Sequence, residues 1–137
     1  MGAKNLMGSD PIRSFWSFQG SPHRLALAFG LGVALGILPG TGALAAAVCA
    51  ALLRLNLPLM MAGALLTNPA TALLIYPVSF LLGKWLLGER LPTDFLAQIA
   101  VGTITGNLIL AIVLGAVGYG VALGSIRIFR ARYAAGH

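Results

Sequence analysis

Acid–base or hydrolytic chemistry needs carboxylates, histidines or a metal held close together. This chain offers only Asp10, Glu89 and Asp94, with His23 and His137. None lies inside an apolar stretch, and no two have the spacing of a catalytic pair. Cys49 stands in an apolar run without ligand-bearing neighbours, so neither a disulfide framework nor a metal site follows. No catalytic residue, metal ligand or cofactor is expected, and the chain does not read as an enzyme. The lack of a carboxylate within the apolar stretches argues equally against proton coupling. The polar residues that do lie amid apolar sequence are Thr41, Thr67, Asn68 and Thr71, then Thr103, Thr105 and Asn107. These cap helices or hydrogen-bond a solute.

Gly30-Leu31-Gly32-Val33-Ala34-Leu35-Gly36 has the glycine spacing of a nucleotide-binding loop. No strand pattern precedes it, no acidic residue follows at the required distance, and every filler is apolar. Glycines four apart on an apolar helix instead let a second helix come close. Gly102/Gly106 and Gly120/Gly124 read the same way, as packing within the chain or between copies.

The elements that must carry these groups are long and apolar. The chain is 58% hydrophobic and 9% charged, where a soluble domain carries about 25% charged residues. The expected fold is an all-α integral membrane protein with one helical domain over 21–137. Three regions are long and apolar enough to span a bilayer. Leu25 to Leu53 is interrupted by Pro39-Gly40-Thr41-Gly42, and Leu57 to Gly83 by Thr67-Asn68-Pro69-Ala70-Thr71. The third lies between Phe95 and Ile126.

A break at membrane depth frees backbone groups that lipid cannot satisfy, so protein or a water-filled cavity must cover it. The breaks at Pro39, Gly40 and Pro69 are therefore the leading site markers. Helix N-termini just after them present N–H groups and a partial positive charge. Thr41, Gly42, Asn68 and Thr71 are the candidate binders of an anion or dipolar solute. Arg24, Arg54 and Lys84, at the edges of the apolar stretches, are the candidates to hold a lipid headgroup phosphate.

Capping logic sets the helices. Ser21-Pro22 starts one over 22–37, and a second runs from Thr41 to Arg54. Asn56-Leu57-Pro58 starts a short helix leading to Asn68, and Pro69 opens another to Leu87. Thr93 and Asp94 cap a final long helix over 94–129. The broken units are thus 22–54 and 57–88. Pieces of about 14–16 residues reach some 21–24 Å, short of a ~30 Å hydrocarbon core. Each unit either folds back as a re-entrant hairpin or kinks in line as a tilted span. Two hairpins would gather Arg24, Arg54, Lys84 and Arg90 on one side, cytoplasmic by the positive-inside rule. One final span would then carry Arg127, Arg130 and Arg132 to the other side. Placed at stretch edges rather than on one face, these charges point to membrane lipids as partners and away from nucleic acid.

Residues 1–20 read as an interfacial segment, with Ile12, Phe15 and Trp16 on one helical face beside Arg13, or as a tail. Pro39 and Pro69 are thirty residues apart, as are Arg54 and Lys84, so the two units read as a weak internal repeat. Such repeats accompany midplane sites in transporters.

Ser21-Pro22 with Arg24 and Ala26, then Gly30, Gly36, Pro39 and Gly42, Arg54-Leu55-Asn56, Asn68-Pro69, Tyr76 and Gly83 form a recurring pattern. In these residues the chain resembles a bacterial membrane protein family catalogued as domain of unknown function 2062. Leu44 stands where many members carry Gln, and Pro77 comes later than the proline many members have after Asn-Pro. The resemblance implies a multi-pass protein of the bacterial inner membrane and no particular activity. Some relatives fuse this domain to glycosyltransferases. Two functional readings follow. One is a small transport or lipid-handling protein, oligomeric, with its site between the breaks. The other is a structural or accessory subunit that packs against an envelope-biosynthesis enzyme such as a glycosyltransferase.

Overall fold

The structure is a computed structural model that describes residues 20–38, 40–67 and 69–136. The expected interfacial segment, and the break residues Pro39 and Asn68, lie outside the described residues. Among the described residues five α-helices follow one another: α1 (Pro22–Gly36), α2 (Gly42–Leu53), α3 (Leu57–Leu65), α4 (Pro69–Leu87) and α5 (Phe95–Ala135). A 3₁₀ turn, Gly88–Arg90, links α4 to α5, and no strand occurs among the described residues. Two segments among the described residues, Pro69–Arg90 and Phe95–Ala135, are long and apolar enough to cross a membrane.

Local chemistry explains the starts. Ser21 Oγ accepts from Arg24 N, Asn56 Oδ1 from Leu59 N, and Asp94 Oδ2 from Ala97 N, each pairing an otherwise orphaned helix donor. Two of these helices carry proline in the first turn, where no N–H is needed. α2 ends differently. Arg54 adopts the left-handed conformation (φ 51°), and Leu55 N donates back to Ala50 O. α5 runs past Phe129 to Ala135, because nothing between Arg130 and Ala135 breaks a helix and the Phe129 and Tyr133 rings pack one turn apart at 5.1 Å.

The helices assemble by backbone contact. A Cβ on Gly32 would strike Met60 O, one on Gly63 would strike Phe29 O, and one on Gly36 would lie 2.7 Å from Ala64 O. α1 and α3 thus pack side by side in the same sense. α2 turns back along them: the Arg24 guanidinium, at the start of α1, donates to Arg54 O at 2.9 Å, just past the end of α2. α5 runs antiparallel to α1, with Gly30 against Gly115 O and Tyr119. It also runs antiparallel to α4, with Gly83 against Gly102 and Gly106 against Ser79. Among the described residues α4 packs substantially only on α5.

These senses differ between the two broken units. The first folds back on itself, whereas α3 and α4 continue in one direction. Arg24 and Arg54 consequently lie at the same end as the C-terminal arginines, as the bonds from Arg127 to His23 and from Arg130 to Gly20 establish. Lys84 and Arg90 lie at the opposite end, with α4's C-terminus and α5's N-terminus. The reading of both units as hairpins would have put Lys84 and Arg90 beside Arg24 and Arg54. It fails because α3 spends its packing face on α1 and α2 and keeps none for α4.

Gly106→Ala tests this assembly. The added methyl meets the Ser79 carbonyl, which is backbone and cannot rotate away, so the variant is expected to lose roughly 1–3 kcal/mol. Thermal unfolding in detergent measures it. Gly120→Ala, at a position with nothing within 4 Å, is the control that should hold the midpoint or raise it slightly through the better helix propensity of alanine.

Candidate functional site

Four helix ends converge where the two breaks meet: the C-termini of α1 and α3 and the N-termini of α2 and α4. They enclose a cleft of about 270 Å³ whose walls include Gly36, Gly42, Thr67, Pro69, Ala72 and Tyr76. Among the described residues no charged side chain lines it, and the polar groups are the Thr67 and Tyr76 side chains and the backbone at the helix ends.

The fold treats the sequence-predicted residues unequally. Gly40 lines the cleft in a left-handed conformation (φ 75°) that a side chain would strain. Thr41 is the N-cap of α2, but its side chain makes no capping hydrogen bond. The first N–H groups of α2, beside the cleft, therefore lack a side-chain cap. Gly42 is buried, and a Cβ there would lie 2.6 Å from Leu35 O. It sets how closely α2 approaches α1. Pro69 opens α4 at the cleft wall. Thr71 Oγ1 donates to Leu66 O at 2.9 Å, which ties the start of α4 to the end of α3.

The three predicted headgroup residues do not form one cluster. Arg24 donates to Leu53 O and Arg54 O, at 3.5 and 2.9 Å, so it closes the C-terminus of α2 and meets the negative end of that helix dipole. The Arg54 side chain is exposed at the same end. Lys84 is exposed in the last turn of α4, at the other end.

Two polar clusters were not legible as such. Ser79 Oγ donates to Asn107 Oδ1 at 2.5 Å across the α4–α5 contact, with both residues almost fully buried (0% and 3% exposed). Asn107 Nδ2 is buried without a partner. Asn107 stands out in the sequence as a polar residue in an apolar run, but pairing it with Ser79 requires the register of α4 on α5. The second cluster joins α1 to α5. Arg127 can only donate, so His23 Nε2 accepts from it at 3.1 Å, leaving Nδ1–H to donate to Tyr119 Oη at 2.7 Å. Arg130 donates to Gly20 O at 2.6 Å. No group of three metal-ligating side chains occurs among the described residues.

A family model described as an uncharacterized protein conserved in bacteria (DUF2062) matches residues 9–135. No curated protein and no solved structure matches the chain.

The buried Ser79–Asn107 pair yields a second test. Ser79→Ala strands the whole Asn107 amide and should cost about 1–2 kcal/mol. Ser79→Ala with Asn107→Leu removes both partners and should recover much of that loss. Thermal unfolding of the two single variants and the double variant measures the coupling, and strict additivity would show that the pair contributes nothing.

Proposed function

We infer that this chain, which belongs to the uncharacterised bacterial family DUF2062, is a multi-pass protein of the inner membrane that transports a small solute or handles lipid at the cleft between its two helix breaks. Membrane placement is supported by where the apolar surface lies. The most apolar windows of α4 and α5 are only 11% buried within the chain. Leu73, Leu74 and Trp85 are 77%, 73% and 80% exposed. Water would penalise that much exposed apolar side chain by about 1.5–3 kcal/mol per large residue, and lipid would not.

In this reading α1 and α2 enter as a re-entrant pair, and α3 and α4 cross as one kinked span. The rise along α1 from Arg24 to Gly36 is about 18 Å, and along α4 from Pro69 to Lys84 about 22 Å. The cleft thus sits near mid-depth between two charged ends. That convergence of both breaks on one cleft is the observation that carries the proposal. It reproduces the arrangement by which broken helices offer N–H groups and carbonyls to a solute without exposing backbone to lipid. The cleft lies just below the ~300 Å³ at which drug-sized pockets begin. Its occupant is accordingly a small dipolar or anionic species, either a free solute or the headgroup of a lipid whose chains stay outside.

Charge supports an orientation. Arg24, Arg54, Arg127, Arg130 and Arg132 share one end, while Lys84 and Arg90 at the other are balanced by Glu89 and Asp94. The positive-inside rule puts the arginine end in the cytoplasm and the 88–94 loop outside.

Two measurements test the reading. In proteoliposomes loaded with glycerol or inorganic phosphate, Ala72→Leu fills the cleft and should reduce flux at least severalfold, with Tyr76→Phe less affected. Unchanged flux in folded Ala72→Leu protein removes the cleft as a pathway. For orientation, a cysteine introduced at Glu89 in a Cys49→Ser background should react with an impermeant maleimide on intact spheroplasts, and one at Arg132 should not. The reverse pattern inverts the topology.

A further inference from the structure

At the arginine end, a groove of about 530 Å³ lies between the starts of α1 and α3 and the last turns of α5. Leu25, Leu59, Ile126 and Phe129 form its apolar walls, and Ser125, Arg130 and Tyr133 add polar groups to the lining. Ser125, Phe129 and Tyr133 follow one another at i, i+4 and i+8, and Ile126 and Arg130 at i, i+4, so one face of α5 supplies both kinds of group. We propose that this groove holds one acyl chain of an anionic phospholipid, with the headgroup phosphate on Arg130.

Charge complementarity selects that occupant. Five arginines gather at this end, and no acidic side chain accompanies them among the described residues. Arg130 uses one guanidinium nitrogen to donate to Gly20 O. That bond fixes the side chain and leaves other N–H groups of the fork for a phosphate, which guanidinium engages in a bidentate manner. The Tyr133 ring packs against Phe129 at 5.1 Å, an amphipathic pair suited to the headgroup level. A zwitterionic lipid would fill the same groove but bring a cationic group into a cluster of arginines. The inference rests on the membrane placement argued above and not on the cleft between the breaks.

The test uses the full chain reconstituted in vesicles of dioleoyl phosphatidylglycerol or dioleoyl phosphatidylcholine. The protein is then released in mild detergent, and retained lipid is counted by native mass spectrometry. One retained phosphatidylglycerol per chain is expected, in preference to phosphatidylcholine. Arg130→Gln should lower phosphatidylglycerol affinity about tenfold, the weight of a charge-assisted contact. Ser125→Trp, which blocks the groove from an exposed position, should abolish retention of both lipids. Arg132→Gln, outside the groove lining, should change neither. Equal losses for Arg130→Gln and Arg132→Gln would mean diffuse attraction and overturn the groove. So would a lipid-independent dimer that Ser125→Trp dissociates, or a gain in retained lipid on Phe15→Ser, since a second copy or the chain's own first residues would then be the occupant. Protein that fails to enter vesicles at all defeats the membrane placement as well. Protein that enters but retains no lipid defeats this inference alone.

Discussion

Where α4 crosses α5, the carbonyl of Ser79 occupies the space in which residue 106 would carry a Cβ. The same holds at Gly32 against Met60 and at Gly63 against Phe29. In the membrane placement proposed above, helix association gains little from burying hydrocarbon, because lipid is as apolar as the partner. Close backbone approach supplies dispersion contacts instead. Once α1 is in contact with α3 and α5 at these points, the helix senses follow. The position of the breaks follows too, since α1 and α3 end side by side at Gly36 and Ala64.

That geometry also sorts the polar groups. Arg24 reaches the end of α2 only because α2 returns along α1. The left-handed Arg54, a conformation usually left to glycine or asparagine, lets the chain leave α2 and enter α3 across three residues. The 3₁₀ turn at Gly88–Arg90 makes the corresponding reversal at the other end, where its Glu89 and the following Asp94 offset the nearby cations. The strongly asymmetric charge distribution is thus a product of helix packing rather than of charge pairing.

Much of this was legible in the sequence, and the reasons are physical. Ser21, Asn56 and Asp94 announce helix starts because capping is a local interaction between residues three apart. Gly30, Gly36, Gly102 and Gly106 announce close packing because little else explains small residues at such spacing in an apolar run, and all four meet a neighbouring element within the chain. Gly120 and Gly124 carry the same signal and meet nothing within 4 Å, so spacing alone does not name the partner. The direction of the second unit was not legible. Whether Thr67 to Pro69 reverses the chain or merely bends it depends on which face of α3 is already taken, and that is a tertiary fact. The link between Ser79 and Asn107 is hidden for the same reason, twenty-eight residues apart in sequence. The site residues divide likewise: Gly40, Gly42 and Pro69 line the cleft, whereas Arg24 and Thr71 are engaged in joining one helix to the next.

α4 rests on α5 and has no other substantial neighbour among the described residues, yet its first turn forms one wall of the cleft. Mechanically, the molecule is a three-helix cluster and a single lever, both mounted on one long beam. A small rocking of the lever would leave every interface within the cluster untouched. It would shift the contact with the beam and the width of the gap between Gly42 and Tyr76 together.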